Sequence, residues 1–168
     1  MNCKLLSLCL ALFCFMTSSF AQSTPQKIEK NGMTVEWKVV QNNLKITMTA
    51  PTDGWVAIGL NPKDQLAGSS FMMGRVQNGK AEVLDFYTIK PGDVHPVTKL
   101  GGQTAVGEVV GSEKGKSTSI TFDLSRFPDS QFHHTLEAGS ELFMHIAYSQ
   151  DDDFAHHSMM RTMVKIKI

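Results

Sequence analysis

The sequence predicts an all-β protein built as an antiparallel β-sandwich. Three observations predict it. Apolar and polar residues alternate with a period of two in consecutive short runs, and Gly, Pro, Asn and Asp turn signals separate those runs at regular spacing. No segment sustains the 3.6-residue apolar period of an amphipathic helix.

Met33, Val35, Trp37 and Val39 alternate with polar neighbours, and Leu44, Ile46, Met48 and Ala50 do the same beyond a Gln41-Asn42-Asn43 turn, which makes a β-hairpin. After a second turn at Pro51 to Gly54, Trp55 to Leu60 is continuously apolar, as expected of a strand buried on both faces. A loop from Asn61 to Ser70 leads to a strand at Phe71 to Val76. The Asn78-Gly79 hairpin signal then returns the chain along Ala81 to Ile89. Pro91 to Gly102 reads as irregular. Thr104 to Val110 and Ser117 to Leu124 are strands around a polar turn. Arg126 to Gly139 is a connection with room for one helical turn. Glu141 to Tyr148 and Met160 to Ile168 are the closing strands, joined by a polar loop. With about 8–10 short strands and crossings between distant pairs, the expected architecture is an immunoglobulin-like sandwich.

The chain has 168 residues, 16 Lys+Arg against 16 Asp+Glu, ten Met, six His and three Cys. A balanced charge lacks the basic face that nucleic-acid binding needs. Residues 1–21 read as a cleaved secretory signal peptide: Lys4 gives the positive start, Leu5 to Met16 is an apolar run too short to span a bilayer, and Ser19 and Ala21 mark the cleavage zone. The expected mature protein is a single domain, residues 22–168, exported to a periplasm or outside the cell and not stably inserted in a membrane. Cys3, Cys9 and Cys14 all fall in the removed segment. Disulfides, cysteine nucleophiles and Cys-ligated metals are thereby excluded, and site chemistry passes to imidazole and thioether.

Two stretches resemble the DOMON domain, named for the N-terminal part of dopamine β-monooxygenase and shared with the cytochrome domain of cellobiose dehydrogenase. The first is Gly54-Trp55-Val56-Ala57-Ile58-Gly59-Leu60-Asn61-Pro62 followed by Leu66-Ala67-Gly68-Ser69-Ser70-Phe71-Met72-Met73-Gly74. The second is His145-Ile146-Ala147-Tyr148, an acidic loop, then His157 and Arg161. The resemblance spans Ile28 to Ile168. It implies a β-sandwich with a ligand cleft, and in members of known role that cleft holds haem b between one Met and one His. Carried over by position, His157 is the histidine, and the methionine position is Leu66, which has no donor atom. Trp55 matches the family tryptophan.

The resemblance therefore implies haem b bound non-covalently for electron transfer, with His157 on the iron. Met73 or Met72 is the expected second donor, since adjacent strand residues point to opposite faces and one of them faces the cleft. His156 is the alternative metal ligand. Two other readings stand beside this one. A haem-free module would hold a sugar or other small ligand in the same cleft. A copper site would draw on His145, His156, His157, Met159 and Met160 near the last two strands. His133-His134 reads as surface, and Asp151 to Asp153 as a solvated turn without calcium-loop spacing. No nucleophile elbow, phosphate loop or zinc-protease motif is present, so an enzyme is not expected. At most the chain is an electron-transfer accessory, with a separate redox protein as partner.

Overall fold

The computed structural model describes residues 24–168. The expected signal peptide and its three cysteines lie outside the described residues. Eleven antiparallel strands form two sheets. The first, in spatial order, contains β1 (Gln26–Lys30), β2 (Met33–Val40), β3 (Asn43–Ala50), β9 (Thr118–Ser125) and β8 (Val106–Glu113). The second contains β11 (Met160–Lys167), β10 (Glu141–Tyr148), β4 (Val56–Asn61), β5 (Ser70–Gln77), β6 (Lys80–Lys90) and β7 (Asp93–Pro96).

The alternation in sequence is what closes the sandwich. Met33, Val35, Leu44, Ile46, Met48, Ile120 and Phe122 face inward from the first sheet. Ile58, Leu60, Met72, Met144 and Ile146 meet them from the second, all essentially without solvent exposure. Each such side chain contributes roughly 1.5–3 kcal/mol by burial. The expected β2–β3 hairpin forms with Val35 opposite Met48 and Trp37 opposite Ile46. The Asn-Gly hairpin closes β5 on β6, with Asn78 and Gly79 both at positive φ as its turn requires.

Two strands escaped the sequence reading. β1 is a polar edge strand with no inward apolar series, and β7 lies inside the stretch read as irregular. A 3-10 turn at Val97–Leu100 follows β7, and the connection from Arg126 to Gly139 holds no helix.

β4 is buried on both faces. Val56, Ile58 and Leu60 face the first sheet, while Ala57, Gly59 and Asn61 face outward beneath loops. That outer face, not the space between the sheets, carries the cleft.

Candidate functional site

The cleft has a volume of about 440 Å³ and lies on the outer face of the six-stranded sheet. Strand register explains its shape. One row across four strands runs Met73, Ala57, Ala147, Arg161; the next runs Phe71, Gly59, His145, Met163. The central positions are Ala57, Ala147 and Gly59, so the floor is low in the middle and walled by larger side chains. At Gly59 a methyl group would collide with the Phe71 ring, which lies across the glycine (Cζ 2.5 Å and Cδ1 2.7 Å from the site of an added Cβ). Pro91, Gly92 and Val94 on the β6–β7 hairpin and Ser158 before β11 complete the rim.

Leu66 enters from the β4–β5 loop, and Asn61 shapes that loop. Asn61 Nδ2 donates to the carbonyls of Gln65 at 3.0 Å and Ala67 at 2.9 Å and reaches Ser69 Oγ at 3.1 Å, while its Oδ1 accepts from Lys63 N at 2.8 Å. Gly68, at φ 82°, donates to Thr88 O, and Thr88 N donates back to Ser69 O, which ties the loop to β6. His134 Nε2 donates to Gly68 O at 2.9 Å. Leu66 is 42% exposed at the cleft mouth but stands on a backbone fixed from three sides.

His145 projects from β10 into the cleft. Its Nε2–H donates to Gln65 O at 3.2 Å, and its ring lies 5.6 Å from that of Phe71 at 33°. Burial lowers its pKa, partly opposed by the Gln65 carbonyl and the Asp64 charge. Trp55 and Thr88, both in the cleft lining, each carry a side-chain polar atom, Trp55 Nε1 and Thr88 Oγ1, that is buried without a partner among the described residues. Arg161, on the rim, makes no ion pair among the described residues.

The sequence-predicted site residues divide. Met73, Leu66 and Trp55 line the cleft. Met72 does not: it is fully buried between the sheets, because strand parity sends it to the core when Met73 faces out. His157 and His156 are exposed on the β10–β11 loop and are not among the cleft-lining residues; the His157 carbonyl accepts from Ser149 Oγ at 3.2 Å. The five residues considered for copper are dispersed. His145 is in the cleft, Met160 packs toward the core, and His156, His157 and Met159 face solvent. No group of three or more His, Cys, Asp or Glu side chains able to hold a metal occurs among the described residues.

The surface reading of His133 is corrected. Its side chain is 3% exposed, and its Nε2–H donates to Asp85 Oδ2 at 2.8 Å, with Nδ1 2.9 Å from Ser130 Oγ. Asp85 also accepts from Ala105 N at 2.8 Å and Thr104 Oγ1 at 3.2 Å. The pair fastens the long connection to β6; a buried carboxylate needs such partners. The acidic loop is likewise anchored. Arg75 Nη1 donates to Asp152 O at 2.8 Å and lies over the Phe154 ring at 4.5 Å, and Phe154 meets Phe86 edge-on.

The DOMON domain model matches residues 29–149. The chain belongs to the DOMON domain family. Among solved structures this DOMON domain is similar to the cytochrome b domain of pyranose dehydrogenase from Coprinopsis cinerea. The TM-score is 0.62 at 7% identity, covering 84% of this chain and 80% of that one. At such low identity the likeness shows the shared fold. Curated protein sequences give no match. No helix among the described residues is long and apolar enough to cross a membrane.

The donor set of the cleft fits a haem. Iron takes imidazole or thioether donors within apolar walls, and His145, Met73 and Met163 bring both kinds to one concavity with Phe71 and Leu66. The cleft volume falls in the ordinary range for cofactor sites. Arg161, on the rim, can meet a carboxylate.

Proposed function

We propose that this DOMON domain is an exported carrier, in a periplasm or outside the cell, that binds haem b non-covalently in its outer-face cleft and exchanges electrons with a separate redox protein. The observation that carries the reading is a single concavity with a low Ala57–Ala147–Gly59 floor, apolar walls and a half-buried imidazole. Bound haem would supply a one-electron couple at its iron. The protein's part is to hold, orient and insulate. Leu66, Phe71 and Met73 exclude water from the faces of a flat ligand, and Arg161 holds a carboxylate at the rim. No enzymatic step is assigned to the chain; its activity is that of a carrier.

Leu66 favours a second reading. A leucine where the family resemblance places a donor suits a cleft that holds an uncharged ligand such as a sugar ring against its apolar walls. Haemin titration separates the two. The haem reading expects a saturable one-to-one Soret change in both oxidised and reduced protein. The absence of any Soret change in either state sinks it in favour of the haem-free module.

A further inference from the structure

We propose that His145 supplies the iron-facing donor on the wall of the cleft where the family resemblance would place a methionine at Leu66. The inference rests on the haem reading and says which residue serves it.

Leu66 and His145 share one wall. The carbonyl that accepts from His145 Nε2 belongs to Gln65, the residue directly before Leu66. The imidazole is therefore tethered beside the backbone from which a family methionine would project. The same carbonyl accepts from Asn61 Nδ2 at 3.0 Å and from Ser69 Oγ at 3.2 Å, so the tether is itself held in place. With Nε2 bearing the proton, Nδ1 keeps its lone pair. A second hydrogen bond from a ring nitrogen to a carbonyl is the usual way proteins fix the tautomer and orientation of a metal-binding histidine. The Phe71 ring, lying across Gly59, lines the other side of the imidazole and fixes its plane.

The competing donors are placed less well: Met163, paired with His145, lies on β11, one strand further from the loop that carries Leu66. Met72 is in the core, and His157 is on an exposed loop outside the cleft lining. Met73 lies in the neighbouring row of the floor, not on the Leu66 wall. A leucine at the family position then has a local reason: the donor has moved one strand across, from the loop to β10.

The test compares the wild-type chain with His145→Ala, His157→Ala and the double variant His145→Ala/Leu66→Met. Each is titrated with haemin and followed by absorption and resonance Raman spectra in both oxidation states. Even residues that only orient a metal ligand contribute about 10- to 100-fold in affinity. His145→Ala is accordingly expected to lose at least about tenfold and to change iron spin state, with free imidazole restoring the wild-type spectrum. His157→Ala is expected to stay within about twofold of the wild type, a change of less than 0.5 kcal/mol. Adding Leu66→Met to His145→Ala is expected to return a thioether-ligated spectrum. His145→Gln keeps a side-chain N–H for Gln65 O and controls for folding; it should fold as the wild type and still lack the wild-type spectrum. Haem uptake with an unchanged His145→Ala spectrum overturns the assignment and leaves the haem reading standing. No haem uptake by the wild type overturns both.

Discussion

Asp85 ties β6 to the residues before β8 and to the connection that follows β9. Its Oδ2 collects three donors from two stretches of chain, Thr104–Ala105 and His133, while Oδ1 is buried without a partner among the described residues. Replacing it with alanine strands the Ala105 N–H and the His133 imidazole in a nearly dry site. Asp85→Ala should therefore lower unfolding free energy by roughly 2–4 kcal/mol, read from urea midpoints, with Asp85→Asn costing less because an amide oxygen still accepts. A midpoint unmoved by Asp85→Ala would mean the connection is held some other way. Nothing in the sequence announced this arrangement. Asp85 sits in an ordinary strand, and His133 and Ser130 lie more than forty positions away in a segment without periodicity. Long-range polar contacts leave no trace in local pattern.

At the scale of elements, strand parity decides both the core and the cleft. That is why so much of the fold could be read in advance. The series Met33–Val35–Trp37, Leu44–Ile46–Met48 and Leu142–Met144–Ile146 each declare a face, and the structure buries those faces. The edge strands β1 and β7 declare none and were missed. The cleft was half legible. Trp55 and Leu66 came from motif positions and Met73 from strand parity, but the concavity comes from the outward set of β4 and β10, where Ala57, Gly59 and Ala147 are small. That signal was present in the sequence as small residues at alternate positions, opposite to the apolar series. It also makes a test. Gly59→Ala has room only if the Phe71 ring moves, and that ring is the movable end of a side chain. The variant should remain folded, with a urea midpoint near that of the wild type, and should bind haemin more weakly because the displaced ring enters the cleft and leaves His145. Undiminished affinity would show that Phe71 is no part of the wall.

For the whole molecule, the acid side of the stability profile carries a signature of the anchored loop. Asp152 has its pKa raised from the ordinary 3.8, chiefly by burial, with the Arg75 charge and a Gln77 hydrogen bond opposing and Asp151 and Asp53 adding to the rise. Between 3.8 and the raised value the folded chain binds more protons at this site than the unfolded chain. The contribution of Asp152 thus favours folding as pH falls through that window and weakens as pH rises through it. Asp152→Asn removes the dependence. Subtracting its urea-midpoint profile from that of the wild type should show a wild-type advantage that shrinks as pH rises above 3.8 and then levels off. A difference of the opposite slope would mean that Arg75 outweighs burial.

The outer-face position of the cleft has an evolutionary consequence. Ala57, Met73, His145 and Ala147 line the cleft, while their chain neighbours Ile58, Met72 and Met144 hold the sheets together. Substitutions in one set leave the other intact. Cleft and core thus sit on alternate residues of the same strands, so the lining can vary while the packing of the two sheets is kept.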